Sequence, residues 1–160
     1  MTQQHGSARS RAEAADAFLT VSRALMGITV RSVNAAPVEV TLAQHRVLVL
    51  VATRGEQTVK ALAEQLEVNQ SNASRLCDRL QKLGLIARDR SSTDGRAVNV
   101  SLTSRGRDLV QSVRTHRRTD VQRVLDQMTS SQVEAAITAL TAFGEAAHEL
   151  GEAQWSTYAL

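Results

Sequence analysis

The residues with the clearest chemical potential lie in one stretch, VNQSNASRLCDRLQKLGLIARDRSSTDGRAVNVSLT, residues 68–103. It places short hydroxyl and amide side chains close to several arginines. Residues 68–107 carry eight Lys and Arg against three Asp and Glu, whereas 108–160 carry four against seven. Seventeen of the nineteen basic residues are Arg, whose planar fork suits bidentate bonds to phosphates and guanine edges. This distribution favours a polyanionic partner.

A helical wheel divides residues 70–84 into two faces. The inner face is apolar, with Ala73, Leu76, Cys77, Leu80 and Leu83. The outer face carries Ser71, Arg75, Asp78 and Lys82, flanked by Asn72, Ser74 and Arg79. A helix in the major groove reads base edges with its first turns, where Ser and Asn reach and Arg can bond guanine bidentately. Asp78, four residues before Lys82, is expected to orient the cations.

After Gly84 the apolar period changes from 3.6 to 2, as in a half-buried strand. Residues 97–102 form one predicted strand and 85–90 its antiparallel partner, joined by a small polar loop with an Asp-Gly turn signal. The loop is slim enough for a minor groove, with Arg96 as the inserting cation and Asp94 holding its guanidinium. Arg88 and Arg90 would contact the DNA backbone.

The elements around this stretch are predicted mainly from capping signals and apolar spacing. A turn of three or four residues before position 70 makes the two helices that it joins a helix-turn-helix, and the hairpin after it a wing. Predicted helices cover 10–33, Thr41 to Gly55 with a Thr41–Gln44 capping box, a short segment after Thr58, about 69 to Gly84, Thr103 to about Gln127, and a stripe to Gly151 opened by a Ser131–Glu134 box. The fold class is mainly α with a small β-hairpin wing (α+β).

The chain has more amphipathic helix than a winged helix-turn-helix needs. Residues 37–103 suffice for a DNA-binding domain, so 1–36 and 104–160 are predicted to be a helical dimerisation region that buries its apolar stripes against a second copy. The many alanines and an aromatic content of 2% suggest close helix-to-helix approach.

These motifs together resemble the multiple antibiotic resistance regulator (MarR) family. The resemblance rests on the Leu42-to-Leu48 spacing, Asn69-Gln-Ser-Asn-Ala-Ser-Arg75, Asp78-Arg-Leu80, Lys82-Leu-Gly-Leu-Ile-Ala-Arg88, Asp94-Gly-Arg96 and Val100-Ser-Leu-Thr103. It implies a homodimeric repressor on a pseudo-palindromic double-stranded operator, released by a small-molecule inducer or by oxidation. Its base-reading positions fall on Ser71, Asn72, Ser74 and Arg75, and its minor-groove arginine on Arg96. The ligand pocket of the family would lie around the first and second helices and the start of the fifth.

Other chemistries find little support in the sequence. Cys77 is on the apolar face of its helix, which favours a packing role over a redox sensor. His116 with Asp120, and His148 with Glu145 or Glu149, supply at most half of a metal site. No pairing of nucleophile and base and no glycine-rich phosphate loop is present, so we expect no catalytic residues, metal or cofactor. His45 is expected to be packed or to line a pocket.

Cellular location and the main alternative function follow from the same sequence. The longest apolar run, Val47–Ala52, is too short to span a bilayer, and Glu13 and Asp16 interrupt any signal-peptide core. With a single cysteine, we expect a cytoplasmic protein with no membrane partner. The alternative is a winged-helix module that binds another protein instead of DNA.

Overall fold

The computed structural model describes the backbone of residues 2–90 and 98–149, and the side chains of 10–89 and 98–149. These ranges contain six helices and three short strands. They are α1 Thr2–Asn34, α2 Leu42–Arg54, β1 Gln57–Thr58, α3 Val59–Gln65, α4 Gln70–Lys82, β2 Ile86–Arg90, β3 Val98–Leu102, α5 Ser104–Leu125 and α6 Ser130–Ala146. The predicted fold class, mainly α with a winged helix-turn-helix and flanking helices, is confirmed.

Helix α2 is the centre of the core. Its predicted capping box is present: the Thr41 hydroxyl accepts from the Gln44 amide at 3.2 Å, and the Gln44 side chain accepts from the Thr41 amide at 2.8 Å. Every residue from 44 to 53 except Arg46 is buried. A helix that is buried on nearly all sides must lie between other elements. Helices α1, α4 and α5 and strand β3 all contact it.

Helices α3 and α4 form the predicted helix-turn-helix. Thr58 caps α3, accepting from the Ala61 amide at 3.1 Å. The turn after α3 is closed by a bond from the Val68 amide to the Ala63 carbonyl at 3.0 Å, and Glu67 takes a left-handed conformation with φ 53°. The fully buried Leu62 and Leu80 belong to the core that joins the two helices to α2. This packing fixes which face of α4 is turned outward.

The wing grows from the end of α4. Gly84, with φ 70°, reverses the chain, and the Leu85 amide donates back to the Leu80 carbonyl at 3.0 Å, which closes the helix. Strands β2 and β3 pair antiparallel with Arg88 opposite Val100. The sheet order is β1-β3-β2, so the wing has a third strand that was not predicted. Two residues are too few to show a period of 2.

The terminal helices differ from their predicted bounds. Helix α1 begins at Thr2 instead of residue 10, and α5 ends at Leu125, close to the predicted Gln127. The capping box of α6 is Thr129 with Gln132, so the predicted Ser131–Glu134 box is wrong by two residues. Thr129 has the extended backbone that an N-cap needs (φ −71°, ψ 156°), whereas the later serine is already inside the helix. Helix α6 ends at Ala146, before the predicted Gly151.

Candidate nucleic-acid interface

The first turn of α4 is held in place by its own cap. The Asn69 side chain accepts from the Asn72 amide at 2.8 Å, and the Asn69 carbonyl accepts from the Ala73 amide at 3.2 Å. Asn is among the preferred N-cap residues because its short side chain satisfies an otherwise unpaired helix amide. The cap therefore fixes the orientation of Ser71 and Asn72, which point away from the core and are exposed.

The two faces of α4 are those that the helical wheel predicts. Ala73, Cys77 and Leu80 are fully buried. Of the four predicted base-reading residues, Ser71, Asn72 and Arg75 are exposed and Ser74 is partly buried. Arg79, which flanks the outer face and was also expected to contact the major groove, is exposed. The outer face thus offers hydroxyl and amide groups at the amino-terminal end, with arginines one and two turns further along. Side chains of these types at these positions are chemically suited to contact base edges in a major groove.

Arg88, the middle residue of β2, is turned towards α4. Its Nη1 donates to the Asp78 carboxylate, and its Nη2 lies 3.5 Å from the Ser74 hydroxyl oxygen. The Arg88 side chain is only 17% exposed. Asp78 therefore pairs with an arginine ten residues away, where the sequence spacing indicated Lys82. Sequence reasoning named all three residues but did not bring them together, because their contact depends on how the wing strand lies against the helix.

Three other wing residues, Arg90, Asp94 and Arg96, were predicted to contact DNA. Arg90 is the last residue of β2, as predicted, opposite Val98 in the strand register. Asp94 and Arg96, the predicted minor-groove pair, lie outside the described residues. The base of the wing is tied to the rest of the domain, since Asn99 on β3 donates to the Glu56 carboxylate before β1. In the described part of the wing, strand β2 lies against α4.

Comparisons with known proteins agree with this geometry. The sequence profile of the MarR family matches residues 39–97. A transcriptional repressor of Bacillus subtilis, MdtR, is 33% identical over 94 residues, which cover 59% of this chain and 61% of that repressor. The crystal structure of RV1404 from Mycobacterium tuberculosis superposes with a TM-score of 0.82 at 37% identity, covering 89% of this chain and 97% of that one. The chain belongs to the MarR family, a family of transcriptional regulators.

The MarR fold extends beyond the region that the family profile matches. A MarR family protein from Bacillus stearothermophilus, 21% identical, superposes with a TM-score of 0.78 over 88% of this chain and 97% of that one. At this identity the likeness shows the fold alone. It includes the helices on both sides of the winged helix-turn-helix. The chain spans about three fifths of the length of MdtR.

A cavity of about 200 Å³ lies in this MarR protein between α2 and the middle of α5. Its lining is partly cationic and partly aliphatic: His45, Val110, Val113, Arg114, Arg117, Arg118 and Val121. His45 is buried, as predicted, and burial, reinforced by the charges of Arg117 and Arg46, lowers its pKa to about 4. The family resemblance predicted a pocket around α1, α2 and the start of α5, whereas α2 and the middle of α5 line this cavity. The sequence did not identify its arginines, which α5 presents at positions 114, 117 and 118.

A second concave surface of the MarR chain is entirely apolar. It is a groove of about 370 Å³ formed by α1, α5 and α6, to which Phe18, Val21, Leu25, Val124 and Leu140 contribute. Phe18 stacks on Phe143 of α6, with ring centroids 4.3 Å apart. No residue of α6 is buried, although Ile137, Leu140 and Phe143 are large and apolar. The described chain thus leaves part of the apolar surface of α1 and α5, and most of that of α6, uncovered.

Two further sequence predictions concern Cys77 and metal binding. Cys77 is fully buried, and burial raises the pKa of its thiol, as expected for a packed cysteine. Among the described residues, no cluster of three or more His, Cys, Asp or Glu side chains could hold a metal ion.

None of the helices in the described ranges combines the length and the apolar character required to cross a membrane.

Proposed function

We propose that this MarR protein is a transcription regulator that binds double-stranded DNA sequence-specifically as a homodimer and represses until a small ligand releases it. The observation that carries the proposal is the exposed outer face of α4, where Ser71, Asn72, Arg75 and Arg79 lie opposite an inner face that packs into the core. Short polar groups followed by arginines can read base edges in the major groove. The wing beside this face would place Arg90, Asp94 and Arg96 on the backbone and in the adjacent minor groove.

Substitution of Arg75 tests the major-groove assignment. We expect Arg75→Ala to weaken binding to an operator duplex by about 1 to 3 kcal/mol and to relax the preference at one base pair. The matched control is Arg123→Ala, which removes the same charge roughly 28 Å along α5 from the wing, at 1.5 Å per residue. Gel-shift titration of both variants against operator and scrambled duplexes measures the effect. Equal affinities for the two variants would contradict the assignment.

The salt dependence of DNA affinity distinguishes the proposed function from the alternative, a winged-helix module that binds another protein. A protein that contacts 6 to 10 phosphates loses about a thousandfold or more in DNA affinity between 50 and 200 mM salt. We expect this MarR protein to show such a loss with operator DNA. A flat salt dependence would favour the protein-binding alternative.

The homodimer and the division of the chain rest on the terminal helices. We propose that 1–36 and 104–160 form the dimerisation region and 37–103 the DNA-binding domain. In support, α6 has no buried residue, and the apolar groove between α1, α5 and α6 is open in a single chain. A second copy that inserts its own apolar helix faces would cover these side chains, and the resulting two-fold symmetry would match a pseudo-palindromic operator.

The cavity beside His45 is where we propose that the releasing ligand binds. Its three arginines suit an anion, and its valines suit an apolar body. Benzoate is a simple probe of this chemistry, with neutral benzamide as control. We expect benzoate, and not benzamide, to raise the melting temperature of the protein and to lower its operator affinity, with both effects reduced in Arg118→Gln. Equal responses to the two compounds would contradict an anion site.

A further inference from the structure

Arg88 links the wing to the recognition helix α4 through one guanidinium. Its two terminal nitrogens reach Asp78 and Ser74, which lie four residues apart and therefore on neighbouring turns of the same helix face. Arg88 is also paired with Val100 in the β2–β3 ladder, so its backbone is fixed by the wing sheet. One side chain thus joins the two structural elements that the proposed function brings to DNA.

The positive charge of Arg88 is paired with a carboxylate of the same chain. With its side chain 17% exposed, the guanidinium is largely removed from water, which is costly unless the charge is paired and hydrogen-bonded. The Asp78 carboxylate supplies this pairing, and it is itself 52% exposed on the outer face of α4. A group held in this way is poorly placed to reach a DNA phosphate. The sequence, in contrast, predicted that Arg88 would contact the DNA backbone.

We propose that Arg88 is a positioning residue that sets the angle between α4 and the wing, so that both contact the same DNA segment at once. The inference rests on the proposed DNA binding and deepens it. Without the link, the wing and the helix would have to be ordered against each other when DNA binds, and that ordering costs affinity. The cost falls on the specific complex, where both elements must be in register, more than on loose non-specific binding.

The proposal predicts a result that a phosphate contact would not give. Removing a phosphate contact lowers the dependence of log affinity on log salt by about one. Removing a positioning residue leaves this slope unchanged and reduces the preference for operator over scrambled DNA. Asp78→Asn should act in the same direction as loss of Arg88, although asparagine removes a negative charge and would by itself strengthen attraction to DNA.

The experiment compares Arg88→Met, Asp78→Asn and the double variant in the full chain, by titration of an operator duplex selected from random DNA and of a scrambled duplex over a range of salt. Methionine keeps an apolar stem, and asparagine keeps the shape of Asp78. We expect each single variant to lose about tenfold in operator preference, an unchanged salt slope, and a double variant no worse than either single one. The control Asp89→Asn, an exposed neighbour on β2, should keep the wild-type preference.

Different outcomes separate failure of this inference from failure of the proposed function. A salt slope that falls by about one in Arg88→Met, or an operator preference that Asp78→Asn leaves intact, would overturn the positioning role while DNA binding stands. Wild-type protein without operator preference would overturn both. Circular dichroism and thermal melting check that each variant is folded. If Arg88→Met does not fold, Asp78→Asn against Asp89→Asn decides the question.

Discussion

His45 is a buried titratable side chain in the wall of the proposed ligand cavity. It is 5% exposed, and burial, assisted by the nearby Arg117 and Arg46, lowers its pKa to about 4. The imidazole is therefore neutral at pH 7 and can donate one hydrogen bond and accept another. A neutral ring beside cationic arginines adds no further positive charge to the cavity. The same shift makes folding stability depend on pH.

We expect the free energy of unfolding to fall as pH drops from about 6.5 to 4. Over this window the unfolded chain takes up a proton on His45 while the folded chain does not, and the difference amounts to about 3 kcal/mol. Above pH 6.5 the contribution is constant. Urea unfolding of wild type and His45→Gln at several pH values measures it: the variant should show a shallower fall between pH 6.5 and 4. Parallel curves would contradict a neutral buried His45.

At the residue scale, the sequence predicted burial well and partners less well. The inner positions of α4 were predictable because helical periodicity alone separates Ala73, Cys77 and Leu80 from the outer face. The partner of Asp78 was not, because sequence spacing can only propose neighbours on the same helix, such as Lys82. The actual partner, Arg88, is brought in by the turn at Gly84 and by the register of the wing.

The junction of the wing with α5 is held by hydrogen bonds and by a close backbone approach. The Thr103 hydroxyl donates to the Gly84 carbonyl at 2.7 Å and accepts from the Gly106 amide at 3.1 Å, so one side chain caps α5 and holds the end of α4. Gly106 in the first turn of α5 packs against Leu85, and a Cβ atom there would overlap the Leu85 carbonyl. The start of α5 is thus locked to the exit of the recognition helix.

Gly106→Ala tests this junction. The added methyl group meets backbone, which cannot swing aside, so we expect a loss of about 3 kcal/mol in the free energy of unfolding. The matched control is Gly27→Ala in α1, whose Cβ would meet only the end of the Arg31 side chain at 3.5 Å. That change should be neutral or stabilise by up to about 1 kcal/mol. Denaturant titration compares them, and similar stabilities would contradict the close approach.

Elements whose signals are local were predictable, and elements fixed by distant contacts were not. Thr41 and Gln44 identified the start of α2 because a capping box needs only four residues. Near α6 the sequence offers two overlapping capping boxes, Thr129–Gln132 and Ser131–Glu134. The first one forms, because the backbone is extended at Thr129. Strand β1 exists only because Gln57 and Thr58 pair with Val100 and Asn99, far along the chain.

At the scale of the whole molecule, the uncovered helix faces are where the proposed second copy would bind. Leu140 and Phe143 on α6 are about half exposed, and Leu25 on α1 is 43% exposed. Contiguous exposed apolar surface of this kind is rare on a monomer and marks an interaction site. Helix α6 packs against its own chain partly through the stacked Phe18 and Phe143 rings, which leaves the rest of its apolar stripe for the proposed second copy.

Leu140→Asp tests the dimer. An aspartate on the apolar stripe would be desolvated in the interface without a partner, so we expect the dimer to dissociate at least tenfold more readily. Thr138→Asp, on the opposite, polar side of α6, should leave it intact. Sedimentation velocity over a range of protein concentrations measures both variants. A wild-type protein that sediments as a monomer at micromolar concentration, or equal dissociation of both variants, would contradict the proposed interface.

The most direct test of sequence-specific DNA binding is selection of bound sequences from a pool of random double-stranded DNA. The exposed face of α4, presented twice by a symmetric dimer, predicts a pseudo-palindromic motif whose half-sites are centred about 34 Å, or about 10 base pairs, apart. The wing predicts an additional preference flanking each half-site. Recovery of such a motif would support the reading face, the dimer and its spacing together. A pool that remains random after repeated selection, at salt low enough to permit binding, would contradict the proposed function.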